Sequence, residues 1–296
     1  MRVSLHHITQ YRYDRQVRLG SQIIRLRPAP HYCGRLLSYS LTVEPVDADI
    51  QWRHDPFANQ TAEVRFADKT DLFRVSVALS VDLSVDLTID HQTNPSVDFS
   101  LTSESERLPL NYTPQLIREL AAYRHTQAAG SLFQQYLGTI ERHDMRTAAL
   151  VVMLNQKLHR DIRYRIRKEH GVQTPEQTLQ EGSGSCRDSG WLLVQLLRHC
   201  GFAARFVSGY LIQLPSEGIE PSNPAVSANE LHAWCEVYLP GAGWIGLDPT
   251  SGLLADVGHV PLACAPDPSA AAPIEGSVEP CEVDFSYRIA LSALDA

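Results

Sequence analysis

From Phe73 to Leu87 the residues alternate, odd positions mostly apolar and even positions mostly polar. Only an extended chain sends successive side chains to opposite sides, so this segment predicts a long strand with one face buried and one face wet. Shorter runs of the same kind cover Val3 to Tyr13, Leu36 to Val43, Ile50 to Trp52 and Thr61 to Phe66. Turn-rich pieces separate them, among them Pro28-Ala29-Pro30 and Asp55-Pro56-Phe57-Ala58-Asn59. Several short antiparallel strands at this spacing predict a β-sandwich for the N-terminal region.

Beyond that region the period changes from two to that of a helix. Thr113-Pro114 reads as a cap followed by proline in the first helical position, and Leu116, Leu120 and Tyr123 recur at helical spacing. A second helix is predicted over Met145 to His159, and Thr174-Pro175-Glu176-Gln177 opens a short one that should stop at Gly182. Ser185 and Asp188 have capping-box spacing ahead of Leu193, Leu196, Leu197 and Cys200, with Gly201 as the stop. Strands follow at Ala203 to Leu214, Leu231 to Leu239 and Trp244 to Asp248. The stretch Ala263 to Pro273 reads as a loop, and Val283 to Leu291 as a last strand. The expected organisation is α+β, with an N-terminal antiparallel β-sandwich over 1–105 and a mixed core over 106–296.

A formal charge of -8 argues against a general nucleic-acid binder, because phosphate binding needs a basic surface. The one basic run, Arg160 to Lys168, reads as a solvated face. No window approaches the run of apolar residues that a membrane span requires, and Met1 to His7 lack the pattern of a secretory leader. These features predict a cytoplasmic protein with no membrane partner. The six cysteines are scattered too widely for a disulfide scaffold.

Among those cysteines Cys186 stands apart. It follows Gly182-Ser183-Gly184-Ser185 and falls in the first turn of the predicted helix. A thiol attacks carbonyls as thiolate, and a helix N-terminus with a nearby imidazolium favours that form. In the strand Leu231 to Leu239, alternation puts His232, Trp234, Glu236 and Tyr238 on one face and the apolar residues on the other. Asp248 ends the next strand, ahead of Pro249, and the turn Pro240 to Gly243 would make it a neighbour of His232. A carboxylate there would fix the imidazole tautomer that serves the cysteine. His232 and Cys235 are an odd number of residues apart and diverge across the sheet, so no zinc pair is expected and no metal or cofactor is called for.

Together these residues resemble the bacterial transglutaminase-like superfamily. The similarity rests on Gly184-Ser185-Cys186-Arg187-Asp188, Arg205 to Tyr210, His232-Ala233-Trp234 and Trp244 to Thr250, with Thr9 to Tyr13 and Asp55 to Asn59 upstream. The resemblance covers residues 1 to about 262 and implies a papain-like core in which Cys186 is the nucleophile, His232 the general base and Asp248 the orienting carboxylate. It implies acyl transfer through a thioester on a peptide or protein amide; hydrolysis is the expected outcome because water is always available and the sequence shows no dedicated amine site. Two alternatives stand beside it: a crosslinking transamidase, and a non-catalytic peptide-binding protein on the same fold. Tyr210 and Trp234 are the candidates for substrate contact, although tryptophan at such a position also packs sheets.

Overall fold

The structure, a computed structural model, describes residues 1–84, 99–167, 169, 171–213 and 229–294. Val85 to Leu87, Lys168 and Leu214, which belong to segments read from the sequence, lie outside the described residues. Six strands come first: β1 (Arg2–Val17), β2 (Gln22–Ile24), β3 (Arg35–Glu44), β4 (Asp49–His54), β5 (Gln60–Arg65) and β6 (Thr70–Asp82). Helices α1 (Pro114–Glu119), α2 (Ser131–Gly138) and α3 (Thr147–Asp161) lead to β7 (Arg163–Tyr164), α4 (Pro175–Glu181), β8 (Ser183–Gly184) and α5 (Cys186–His199). The chain closes with β9 (Ala203–Ile212), β10 (Asn229–Leu239), β11 (Gly243–Asp248), β12 (Leu253–Leu254), β13 (His259–Ala265), β14 (Ile274–Glu275) and β15 (Val283–Leu294). Among the described residues no helix is long and apolar enough to cross a membrane.

The N-terminal residues build two four-stranded antiparallel sheets, in the orders β15-β1-β6-β3 and β14-β2-β5-β4. Alternation in β6 does what the sequence requires: Phe73, Val75, Val77, Leu79 and Val81 are all buried, while their even-numbered neighbours are more exposed. Side chains of both sheets, including Val3, Leu5, Ile24 and Val64, join in one apolar cluster. That cluster also takes in Tyr210, Ile212, Val260 and Leu262 from a five-stranded sheet, β12-β11-β10-β9-β13. The N-terminal region and the core therefore share one interior.

The C-terminal strand corrects the division at residue 105. β15 pairs along its length with β1, from Tyr13↔Val283 to Arg2↔Leu294, and β14 pairs with β2. The end of the chain thus returns to the N-terminal sheets rather than staying with the core. Periodicity identifies a strand but carries no information about its partner across nearly the whole length of the chain.

The stretch read as a loop from Ala263 also differs. Ala263, Cys264 and Ala265 finish β13, and a single 3-10 turn over Pro268–Ala271 follows. Proline is tolerated in β13 because this is an edge strand and Pro261 lies at a shift in its register with β9. Asn59 seals part of that free edge: its side chain accepts from Cys264 N–H at 2.8 Å and donates to Cys264 C=O at 3.0 Å. Asp55 holds Asn59 in place by accepting from its backbone N–H and its amide. The Asp55 to Asn59 motif is thus a clasp between the N-terminal region and the core.

Helix α5 is the centre of that core. Leu192, Leu193, Leu196 and Leu197 are fully buried against β9 and β10, and truncating any one to alanine costs about 2–5 kcal/mol in sites of this kind. The basic run before it is not a continuous charged face. Arg165 pairs with Glu181, and Arg167 turns inward to Asp188.

Candidate active site

Cys186 occupies the first position of α5, and the local sequence fixes it there. Ser185 caps the helix, and the capping box is reciprocal: Ser185 Oγ accepts from Asp188 N–H, while Asp188 Oδ2 accepts from Ser185 N–H at 2.8 Å. Asp188 is completely buried and also accepts from Gln173 N–H at 2.7 Å and from Arg167 Nε at 2.7 Å. Burial works against its charge, but the guanidinium and the backbone N–H groups prevail and hold its carboxyl below the usual range. Gly184 lets this happen, since a Cβ there would come within 2.7 Å of Asp188 Cβ. Asp188 is therefore the cap that anchors the cysteine.

His232 lies on β10, opposite Gly209 of β9. Asp248 ends β11, and its side chain is held by Thr250 N–H on Oδ1 at 2.9 Å and by Ser251 Oγ on Oδ2 at 3.0 Å. Oδ2 faces His232 Nε2 at 3.2 Å, off the line of a straight hydrogen bond. Both residues are 2% exposed. Burial disfavours the imidazolium, yet the Asp248 carboxylate and the Cys186 sulfur outweigh it and raise the His232 pKa well above its ordinary value. Burial likewise disfavours the carboxylate, and the imidazoles of His232 and His259 hold Asp248 well below the usual range. With Nε2 turned to the carboxylate, Nδ1 is the ring nitrogen left for the thiol.

His259, at the start of β13, is the residue that sequence reading missed. Its Nε2 lies 3.5 Å from the same Asp248 oxygen and its Nδ1 lies 3.1 Å from Asp256 Oδ1. Burial lowers its basicity, but the two flanking carboxylates raise its pKa overall. The available signal was an apolar run, Val260 to Ala265, opening with a histidine shortly after Asp248.

The structure does not bring Tyr210 or Trp234 to the cleft. Tyr210 is fully buried, and its hydroxyl meets His7 Nδ1 at 2.9 Å, while Thr9 Oγ1 meets His7 Nε2 at 2.8 Å. Trp234 is 1% exposed and packs with Val207 and Cys264. Its indole lies stacked near His232, at 6.4 Å between centroids, and edge-on to His259 at 5.2 Å. Gly209 makes the space, because a Cβ there would approach Trp234 Cη2 to 2.5 Å. Trp234 is thus a floor beneath two imidazoles.

Among the described residues two groups of side chains bring ligand atoms within 4.8 Å of one another: His232, Asp248 and His259, and His31, Glu236 and Cys264. In the second, the Arg205 guanidinium pairs with Glu236 at 2.6 Å and stands 3.2 Å from His31 Nε2, so a cation already fills the place a metal would take. In the first, a carboxylate facing two imidazoles accounts for the arrangement without a metal. Cys235 projects into the core away from His232, as alternation along β10 demands.

Cys186 and His232 open on a cavity of about 920 Å³. Trp191, Gln173 and Pro268 line the core side, and Tyr11, Phe73 and Phe285 the N-terminal side.

Residues 3–82 match the bacterial transglutaminase-like N-terminal region, and residues 134–249 match the transglutaminase-like superfamily. The chain thus carries a transglutaminase-like core behind a bacterial transglutaminase-like N-terminal region. Uncharacterized proteins of Mycobacterium tuberculosis and Mycobacterium bovis are 23% identical to this transglutaminase-like chain over 281 residues, covering 94% of it and 87% of theirs. A crystal structure from Cytophaga hutchinsonii, of a protein proposed to be a cysteine protease, superposes with a TM-score of 0.72 at 20% identity. It covers all of this chain and 91% of its own. The shared fold thus includes both the N-terminal sheets and the transglutaminase-like core.

Proposed function

We propose that the protein is a thiol hydrolase that cleaves amide bonds of peptides or proteins, with Cys186 as nucleophile, His232 as acid and base, and Asp248 as the group that orients His232. The observation that carries this reading is the convergence of Cys186, at the start of α5, and His232, backed by the buried Asp248, on the wall of one cavity. The match to a transglutaminase-like core and the cysteine-protease proposal made for the structural neighbour point the same way.

In this mechanism the Cys186 sulfur attacks the amide carbonyl, and the imidazolium of His232 hands its proton to the departing amine. A thioester remains. His232 then takes a proton from water, which attacks the thioester and releases the acid and the thiol. The N–H of Cys186, in the first turn of α5, has no intrahelical acceptor and faces the developing oxyanion. Asp248 keeps the Nε2–H tautomer, and His259 holds Asp248 from the other side.

Hydrolysis is favoured over transfer to a lysine amine because the carboxylates lining the cleft are already engaged. Asp267 accepts from Ser269 N–H and Oγ, and Glu275 pairs with Arg25. The test is a screen of peptidyl aminomethylcoumarin amides with wild type and Cys186→Ala, in the presence and absence of a primary amine. Fluorophore release by wild type alone, with no amine incorporated, is the expected result. Release by Cys186→Ala would overturn the reading, and amine incorporation would replace hydrolysis by transamidation.

A further inference from the structure

The cavity has two unlike walls. One belongs to the transglutaminase-like core and carries Cys186, His232 and Trp191; the other comes from β1, β6 and β15 of the N-terminal sheet. On that far wall Tyr11 stacks on Phe73, at 5.6 Å between centroids and 14° between planes, and meets Phe285 at 5.1 Å. Phe73 is buried, but Phe285 is 53% exposed and its neighbour Val283 is 44% exposed. Large apolar side chains left this open beside a cleft mark a place where apolar surface is covered on binding.

The charged groups of the cleft are already engaged. Besides Asp267 and Glu275, Arg187 donates to Pro268 C=O at 3.2 Å and lies over the Phe206 ring. A charged substrate side chain would have to displace one of these partnerships, whereas an apolar one would add to a row of rings that ends in solvent.

We propose that Tyr11 and Phe285, backed by the buried Phe73 and with Val283 beside them, form a subsite for an aromatic or branched apolar side chain of the peptide whose amide is attacked by Cys186. The inference rests on the thiol-hydrolase reading and adds a substrate class to it. It also gives the N-terminal sheets and the returning strand β15 a role in recognition: they complete the cleft that the core alone leaves half built.

The probes are acetyl-Gly-Gly-, acetyl-Phe-Gly- and acetyl-Gly-Phe-chloromethyl ketone. Each alkylates a cysteine by forming a C–S bond as chloride leaves with its electron pair, the thiol proton passing to the imidazole and then to solvent. The rate of Cys186 modification, read by peptide mass spectrometry, is compared in wild type, Phe285→Ala and Phe285→Tyr. Iodoacetamide, which has no side chain to place, reports the reactivity of the thiol by itself.

In wild type one Phe reagent reacts about tenfold faster than the Gly-Gly reagent, the gain expected for covering one ring with another. That ratio falls towards one in Phe285→Ala and is kept in Phe285→Tyr. If iodoacetamide modifies Cys186 but wild type shows no preference for Phe, or if Phe285→Ala retains the preference, the subsite is overturned and the hydrolase reading survives. If Cys186 resists iodoacetamide in the folded wild type, the hydrolase reading fails and takes the subsite with it.

Discussion

His259 Nε2 lies 3.5 Å from Asp248 Oδ2, on the carboxylate that also faces His232 at 3.2 Å. One anion thus stands between two imidazoles, and the outer imidazole is itself backed by Asp256 at 3.1 Å. Trp234 lies beside both rings, 6.4 Å from His232 and 5.2 Å from His259 between centroids.

His259→Ala therefore frees Asp248 on one side and lets it turn. Because a misplaced orienting group is felt mainly in the transition state, kcat should fall by about tenfold to a hundredfold with a smaller change in KM. His259→Gln, whose amide can still donate to Asp248, should recover most of the loss. A fall in thermal stability with unchanged kcat would assign His259 to packing alone. The measurement is steady-state hydrolysis of a peptidyl coumarin amide by the three proteins.

Asp248→Asn is the sharper test of the inner pair. The amide oxygen can keep the Thr250 N–H bond, so the backbone has no cause to move. Its NH2 group, however, donates where the carboxylate accepts, and it selects the wrong tautomer of His232. The expected loss in kcat is about a thousandfold or more, by analogy with the same change in a serine protease triad. Iodoacetamide modification of Cys186 at neutral pH should slow as well. Full activity in the variant would remove Asp248 from the mechanism.

The parts of this architecture that were legible in the sequence are the local ones. The start of α5 announces itself through Ser185 and Asp188, whose two side chains and two N–H groups lie within one turn, and the structure has that box as read. Alternation along β10 separates His232 from Cys235 correctly. Alternation cannot say which of two faces is open, however. It put Trp234 and His232 on the same side, but Val207, Cys264 and Ala255 pack around Trp234 there. Tyr210 failed for the same reason: its hydroxyl has a polar partner, as a buried tyrosine needs, but that partner is His7, some two hundred residues earlier. β13 was hidden by Pro261 and a run of small residues, and with it His259. Long-range pairing, rather than local propensity, separates what was read from what was not.

His7 gives a prediction about pH. Burial, with a smaller contribution from His6, pushes its pKa down to about 4, so the folded protein keeps it neutral between Thr9 and Tyr210. Above its ordinary value near 6.5 both folded and unfolded chains hold it neutral, and it contributes no pH dependence. Between about 6.5 and 4 the unfolded chain binds a proton that the folded chain refuses, so stability falls as pH falls, by about 3 kcal/mol over the window. Urea midpoints measured from pH 7 to pH 4 should fall more steeply for wild type than for His7→Gln. Parallel curves would mean that His7 is protonated in the folded state.

Asn59 offers a test of how the N-terminal region is fastened to the core. Its amide satisfies both backbone groups of Cys264, a residue that is 2% exposed, on an edge of β13 that no other strand covers among the described residues. Asn59→Ala leaves a buried N–H and a buried C=O without partners, and each such loss costs about 1–3 kcal/mol. It also removes the amide that donates to Asp55 Oδ2 at 2.8 Å, leaving Asp55 held by backbone N–H groups on Oδ1. The expected result is a loss of about 2–5 kcal/mol in urea unfolding, with faster amide hydrogen exchange at Cys264. Asn59→Asp should be nearly as harmful, because a carboxylate can accept from Cys264 N–H but has nothing to donate to its carbonyl. Since β13 also carries His259, loosening this edge should slow turnover in both variants, and an activity that survives such destabilisation would mean that His259 is held by Asp248 and Asp256 without help from the strand.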